Sequence, residues 1–275
     1  MIALALDHVS RDFTTPDGRG YRALDDISLA ITAGSFIAIV GPSGCGKSTL
    51  LNIAAGLLMP SAGEVRVDGE RLIGLNRRAT YMFQQDALLP WKTVRENVAL
   101  GLTLGGTGKL DAHARADAWL ARVGLAPFAA HYPSQLSGGM RKRVVMAQNW
   151  IIDRGVLLMD EPFSALDVHT RQRMESELLE LWEHGSAAQR TRSNKTVVFV
   201  THDLEEAIAL ADEVVVLSAG PAARIVAHHA VTLDRPRDLM ELRTAPAFVD
   251  LYRIIWAVLR EEVIKSQRVM EHGRA

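Results

Sequence analysis

Residues 41–49 read Gly41, Pro42, Ser43, Gly44, Cys45, Gly46, Lys47, Ser48 and Thr49. A glycine, four residues and then Gly-Lys-Ser is a spacing suited to a polyphosphate. Glycines let successive backbone N–H groups turn inward around phosphate oxygens. A lysine can reach the β- and γ-phosphates, a serine hydroxyl can ligate magnesium, and a helix N-terminus adds a favourable dipole. The motif follows the apolar run of residues 36–40 and precedes a helical stretch, the context this loop needs. It is expected to bind a nucleoside triphosphate. Cys45 reads as a small loop residue rather than a redox switch.

Two further clusters carry chemistry. Residues 156–159 are apolar and end in the acids Asp160 and Glu161. In α/β folds ligands gather at the carboxyl ends of strands, so Asp160 suits magnesium coordination, direct or through water, and Glu161 suits activation of an attacking water. Alone, such a pair could simply open a helix; beside a phosphate loop it reads as chemistry. Ser137, Gly138 and Gly139 precede another helical run. A Ser-Gly-Gly turn is commonly only a helix start, yet its free N–H groups can bind an anion. With one phosphate loop and no internal repeat in the chain, a second copy or a similar subunit could bring this turn over the nucleotide.

These residues need a scaffold. Four short apolar runs, at 36–40, 156–159, 197–200 and 214–217, have the unbroken hydrophobicity of strands buried on both faces, the centre of a helix-covered parallel sheet. Residues 4–9, 24–31 and 64–68 alternate apolar with polar and predict an antiparallel sheet beside it. From about 85 to 152 the pattern is helical, notably at 112–123 and 139–152, as in a helical lobe inserted into an α/β core. Residues 184–195 are polar and weakly patterned and read as a mobile surface loop. Residues 248–259 have amphipathic helical spacing and are expected to dock on the core or on a partner.

Composition narrows the function classes. The chain has 275 residues, 48% of them hydrophobic and 23% charged, which excludes disorder and fits one large domain or one with an added lobe. Lys and Arg number 31 against 32 Asp and Glu, a net charge of −1, so no global field recruits nucleic acid. The single cysteine excludes an internal disulfide and suits a reducing compartment. Neither a signal-peptide pattern nor about 18 uninterrupted apolar residues is present, so work at a membrane requires a partner to hold the chain there.

With these motifs in order, the chain resembles the nucleotide-binding subunits of ABC transporters over nearly its whole length. Residues 41–48 match Walker A, Gln84 after Met82 and Phe83 the Q-loop, and Ser137, Gly138 and Gly139 the signature. Residues 156–161 match Walker B, Ser164 to Asp167 the D-loop, and Thr201, His202 and Asp203 the switch histidine. The resemblance implies a P-loop NTPase core with an antiparallel β subdomain and an inserted helical subdomain at about 85–155, together spanning residues 1–232. A C-terminal helical extension would occupy 233–275. It also implies an ATPase in which two subunits sandwich ATP and Mg2+ head to tail, each phosphate loop facing the other subunit's signature.

By the same resemblance Gln84 reaches the metal and the attacking water, His202 the γ-phosphate, and Asp167 the nucleotide interface. Phe13 is expected to stack on adenine, with Tyr21 as the alternative. Residues 83–91, the signature Met140 and Arg235 to Asp238 look like importer subunits for nitrate, sulfonate, taurine and related solutes. Leu88 to Trp91, with Leu88, Pro90 and Trp91 in the contact region, would lie where such subunits receive the coupling helix of the permease, and Pro90 and Trp91 would form a rigid apolar knob, unless Trp91 packs on its own helical lobe. The subunit would then lie at the cytoplasmic face of the inner membrane, beside permease subunits and a solute-binding protein. Gln148 and Asn149 stand where an Arg-Ala pair is common, which questions local ion pairing. An exporter subunit, a soluble ABC ATPase and a non-hydrolysing regulatory subunit are the competing readings.

Overall fold

The computed structural model describes all residues except 16, 17, 19, 165, 185–194 and 273–275. Most of the expected loop at 184–195 therefore lies outside the described residues.

Two sheets frame the molecule. A four-stranded antiparallel sheet has the order β2-β1-β4-β5, from β1 (Ile2–Thr14), β2 (Gly20–Thr32), β4 (Ala62–Val67) and β5 (Glu70–Arg71). The alternating residues expected at 4–9 and 24–31 fall in its long β1–β2 hairpin, where Leu4, Leu6, Ile27, Leu29 and Ile31 turn inward. The second sheet has the order β10-β9-β3-β8-β7-β6. It comprises β3 (Phe36–Val40), β6 (Ala79–Met82), β7 (Val156–Asp160), β8 (Thr196–Thr201), β9 (Glu213–Leu217) and β10 (Ile225–Ala230). Its five inner pairings include four parallel ones, and only β10 runs antiparallel, at an edge. All four apolar runs singled out in the sequence are strands here, and β3, β7 and β8 are buried at every residue.

Apolar residues pack on both faces of this sheet. On one side Ile37, Ile39 and Val200 meet the antiparallel sheet and α1 (Lys47–Ala54). On the other, Phe36, Trp182 and Phe199 centre a core shared with α5 (Val168–His184), α6 (Leu204–Leu210) and α8 (Pro246–His272). The Phe36 ring stands edge-on to both Trp182 and Phe199, with centroids at 5.3 and 5.5 Å. The amphipathic run expected at 248–259 lies within α8 and docks on the core through Phe248, Ile255 and Leu259. Arg237, preceding the short α7 (Leu239–Leu242), donates to the carbonyls of Ile208, Ala209 and Ala211 and so closes the C-terminal end of α6.

The helical lobe has a core of its own. α2 (Val94–Leu104), α3 (Lys109–Arg122) and α4 (Gly138–Trp150) bury Val98, Ala116, Leu120 and Val144 together. Thr93 caps α2 reciprocally with Glu96. The edge strands β6 and β10 fall outside the elements expected from sequence, whereas α2 lies within the stretch at about 85–152 read as helical. β6 has four residues and β10 carries His228 and His229, so neither shows a buried-strand run.

Candidate functional site

The phosphate loop leaves the carboxyl end of β3, and α1 begins at Lys47. Gly46 has φ 101°, and a Cβ there would lie 2.8 Å from Leu24 Cδ2. The left-handed conformation favours glycine, and a side chain there would also require Leu24 to shift. Lys47 is buried, and its Nζ donates to the carbonyls of Gly41 at 2.8 Å and Pro42 at 3.0 Å. An ammonium has three donors, so the loop holds it in place with one still available to an incoming oxygen. Cys45 is buried, and that burial pushes its thiol pKa up, which keeps it protonated and inert. The expectation of a plain structural residue fits this environment.

Ser48 Oγ donates to Asp160 Oδ1 at 2.9 Å, joining the start of α1 to the end of β7. Burial pushes the Asp160 carboxyl up, and the neighbouring Glu161 adds to the rise. A cation at this point would offset both effects. The hydroxyl and carboxylate are hard oxygen donors of the kind Mg2+ takes when phosphates and water complete its shell. Among the described residues no group of three or more His, Cys, Asp or Glu could hold a metal unaided. The pair therefore fits a metal carried in with a nucleotide. Tyr81, on β6, donates its hydroxyl towards Asp160 Oδ2 at 3.4 Å. The sequence reading missed this contact because β6 itself was unseen.

Glu161 adopts φ 44°, a conformation that side chains rarely take. Its N–H is held by the Val200 carbonyl at 3.0 Å, and its own carbonyl accepts from Ser164 Oγ at 2.9 Å. This backbone strain aims the carboxylate across the strand ends, where Oε2 accepts from Gln84 Nε2 at 3.0 Å and lies 3.4 Å from His202 Nδ1. Three residues from separate parts of the chain, the outermost 118 positions apart, are thus gathered by the parallel register of β6, β7 and β8, which places Gln84, Glu161 and His202 just beyond adjacent strand ends.

The supports of these groups were mostly invisible in sequence. Lys142 of α4 donates to the Gln84 carbonyl at 2.9 Å and pairs with Asp86 at 3.1 Å, and Arg141 pairs with Asp86 at 3.4 Å. The helical lobe therefore grips the Gln84 segment directly. Behind His202, Asp203 caps α6 by accepting from the Glu205 and Glu206 amides. Thr201 Oγ1 donates to buried Glu206 at 2.7 Å, and Arg171 of α5 pairs with Asp203 at 3.1 Å. Burial raises the Glu206 pKa to about 7, with Asp203 and Glu175 adding to the rise against Thr201 and Arg171.

Gly138 and Ser164 line one cleft with Gln84 and Asp86, and the remaining expected residues have surroundings of their own. Ser137 is the N-cap of α4, and its Oγ accepts from the Met140 amide at 3.3 Å. Gly138 and Gly139 form the first turn, and a Cβ on Gly139 would stand 2.7 Å from Thr170 Cγ2, so the turn packs beside α5. Asp167 accepts from the Thr170 amide at 3.0 Å, which lowers its pKa. Phe13 and Tyr21 are register partners across the β1–β2 hairpin and so share one face of it. The Arg11 guanidinium lies 4.6 Å from the Phe13 ring centre. Trp91 is 71% exposed, so it does not pack on its own lobe. Leu88 is half-buried and packs against both the helical-lobe core and the core on one face of the parallel sheet. Asn149 is buried and bonds to the Val145 carbonyl, while Gln148 lines a groove of about 300 Å³ with Phe83, Ala87 and Leu100.

Comparison with known proteins agrees with this architecture. The ABC transporter family profile matches residues 24–164. An uncharacterized ABC transporter ATP-binding protein of Methanocaldococcus jannaschii is 41% identical over 265 residues, 96% of this chain and 94% of the relative. A taurine import ATP-binding protein of Roseobacter denitrificans is 38% identical over 96% of this chain and 97% of its own length. A nitrate import ATP-binding protein of Synechococcus elongatus is 40% identical over 91% of this chain and 37% of its own length. Among solved structures, a dimeric post-hydrolysis ATP-binding cassette bound to ADP and Pi is similar with a TM-score of 0.71 and 32% identity, over 84% of this chain and 100% of that one. The chain therefore belongs to the ABC transporter family, as one of its ATP-binding ATPase subunits.

Proposed function

We propose that this subunit hydrolyses ATP to energise import of a small anion or organic solute of the nitrate, sulfonate or taurine type. The observation that carries the hydrolytic part is the convergence of Gln84, Glu161 and His202 beside the Ser48–Asp160 pair. In this reading residues 41–49 bind the phosphates, with Lys47 on the β- and γ-oxygens. Ser48, Asp160 and Gln84 would hold Mg2+, which supplies charge neutralisation on the phosphates when bound. The Glu161 carboxylate orients the attacking water and accepts its proton, and His202 donates a hydrogen bond to the γ-phosphate. Phe13 stacks on adenine.

In this reading one chain holds half a site, because the Ser137 hydroxyl caps its own helix and its turn is left to meet a nucleotide on another chain. The other half comes from a second copy or a related chain, whose Ser137 turn and Asp167 close over the γ-phosphate. Since one ligand then touches two surfaces, its binding energy shifts the open and closed populations by their difference in affinity. Lys142 and Asp86 carry that motion between the signature helix and the Gln84 segment. Exposed Pro90 and Trp91 would present it to permease subunits, which hold this chain at the cytoplasmic face of the membrane; no helix among the described residues is long and apolar enough to cross one. The import direction and solute class are supported by the names of the taurine and nitrate relatives.

The test is reconstitution with the permease and solute-binding protein that copurify with the chain. ATP hydrolysis should rise when taurine, a sulfonate or nitrate is supplied, and the solute should accumulate on the side opposite the binding protein. Hydrolysis indifferent to all three would overturn the solute class, and outward movement would overturn import.

A further inference from the structure

α8 carries a carboxylate that the nucleotide chemistry does not use. Glu262 is 5% exposed, and a buried carboxylate is costly unless its oxygens are bonded. Its Oε2 accepts from the Ala219 amide at 2.8 Å, and its Oε1 accepts from Lys265 Nζ at 2.5 Å. Ala219 lies just past the carboxyl end of β9. β9 pairs in parallel with β3, Val40 opposite Val216, so residues 218–222 emerge beside the phosphate loop. A Cβ on Gly220 would sit 3.4 Å from the Gly44 carbonyl and 3.6 Å from both Cys45 Cα and the Tyr21 hydroxyl, which are ordinary contact distances. The backbone of Gly220 thus rests against the phosphate loop. The segment is tied elsewhere too: Ser218 donates to the Arg224 carbonyl, Ala222 to Arg22 at 2.7 Å and Ala223 to Ala23 at 3.1 Å.

We infer that Glu262 is a positioning residue for nucleotide binding, holding the Ala219 amide and so fixing the shelf on which residues 44–45 and Tyr21 rest. The inference rests on the phosphate-loop reading above and adds a dependence of that site on the C-terminal helix. Glu262 touches no nucleotide. Without it the Ala219 N–H loses its acceptor and the shelf relaxes towards water. Nucleotide binding must then restore an ordered shelf, which reduces apparent affinity by the fraction of molecules already ordered. Linkage makes the effect reciprocal, so bound nucleotide should tighten the shelf.

The full-length chain is titrated with MgADP by calorimetry as wild type, Glu262→Ala, Glu262→Gln and Lys47→Ala. Glu262→Ala should bind roughly threefold to tenfold more weakly. Glu262→Gln, whose amide oxygen still accepts from Ala219, should stay within about twofold of wild type. A purely structural role would lower the melting temperature of Glu262→Ala and leave its Kd unchanged below the transition, which overturns the inference. Should Glu262→Ala fail to fold, amide exchange in the wild type decides: MgADP should slow exchange at Ala219 severalfold, and an unchanged rate refutes the coupling. If the wild type fails to bind MgADP, or Lys47→Ala binds equally well, the phosphate-loop reading itself fails. If only Glu262→Ala matches wild type, the shelf inference fails alone.

Discussion

The phosphate loop and the Ser137 turn are both helix N-termini with glycines, yet they sit in opposite circumstances. Around Lys47 every group is over-determined: two carbonyls hold the ammonium, Asp160 holds Ser48, and Gly46 has the left-handed conformation that favours glycine. Around Ser137 the hydroxyl merely caps its own helix. In the proposed reading, the contrast teaches that one chain preorganises residues for phosphate and metal, while the Ser137 turn supplies its donors to a nucleotide held by another chain. Catalysis divided in this way can be switched by bringing two surfaces together.

The comparison breaks most severely at Glu161. Glu161→Gln should lower hydrolysis by about 100-fold or more while MgATP affinity stays close to wild type, read by phosphate release and calorimetry. Lys47→Ala should weaken nucleotide binding by about 30-fold or more, because a preorganised charge-assisted contact is lost. Ser137→Arg should abolish turnover yet leave binding by the single chain within about twofold, which separates the two regions cleanly.

The smallest effect concerns the support behind His202. Glu206 has its carboxyl raised to about 7, above the value it would have unfolded. The folded state therefore binds the extra proton, and the stability this gives is present at low pH and lost as pH rises from about 4.5 to about 7. Urea unfolding across that range should show a decline of about 1–3 kcal/mol from this group, and Glu206→Gln, neutral at every pH, should flatten it.

What the sequence revealed follows from chemistry that leaves few alternatives. A phosphate loop must spend glycines and a lysine at fixed spacing, and buried parallel strands must be apolar throughout, so residues 41–48 and the strands β3, β7, β8 and β9 were legible. Long-range support was not. Tyr81 depends on β6, four residues with no periodicity of their own, whereas Gln84 was found through its motif and α2 lay within the stretch read as helical without bounds of its own. Glu262 looks in sequence like any charged residue on the wet face of an amphipathic helix, and only the β9 turn reveals that its carboxylate is enclosed.

The claim on which the account turns is that ATP unites two chains. Sedimentation of Glu161→Gln with and without MgATP tests it most directly, with Lys47→Ala and Ser137→Arg introduced separately into that background. MgATP should convert Glu161→Gln from monomer to dimer, and neither double variant should dimerise, although the one carrying Ser137→Arg still binds nucleotide. A Glu161→Gln chain saturated with MgATP and still monomeric, or a Ser137→Arg variant that dimerises as readily, would contradict it.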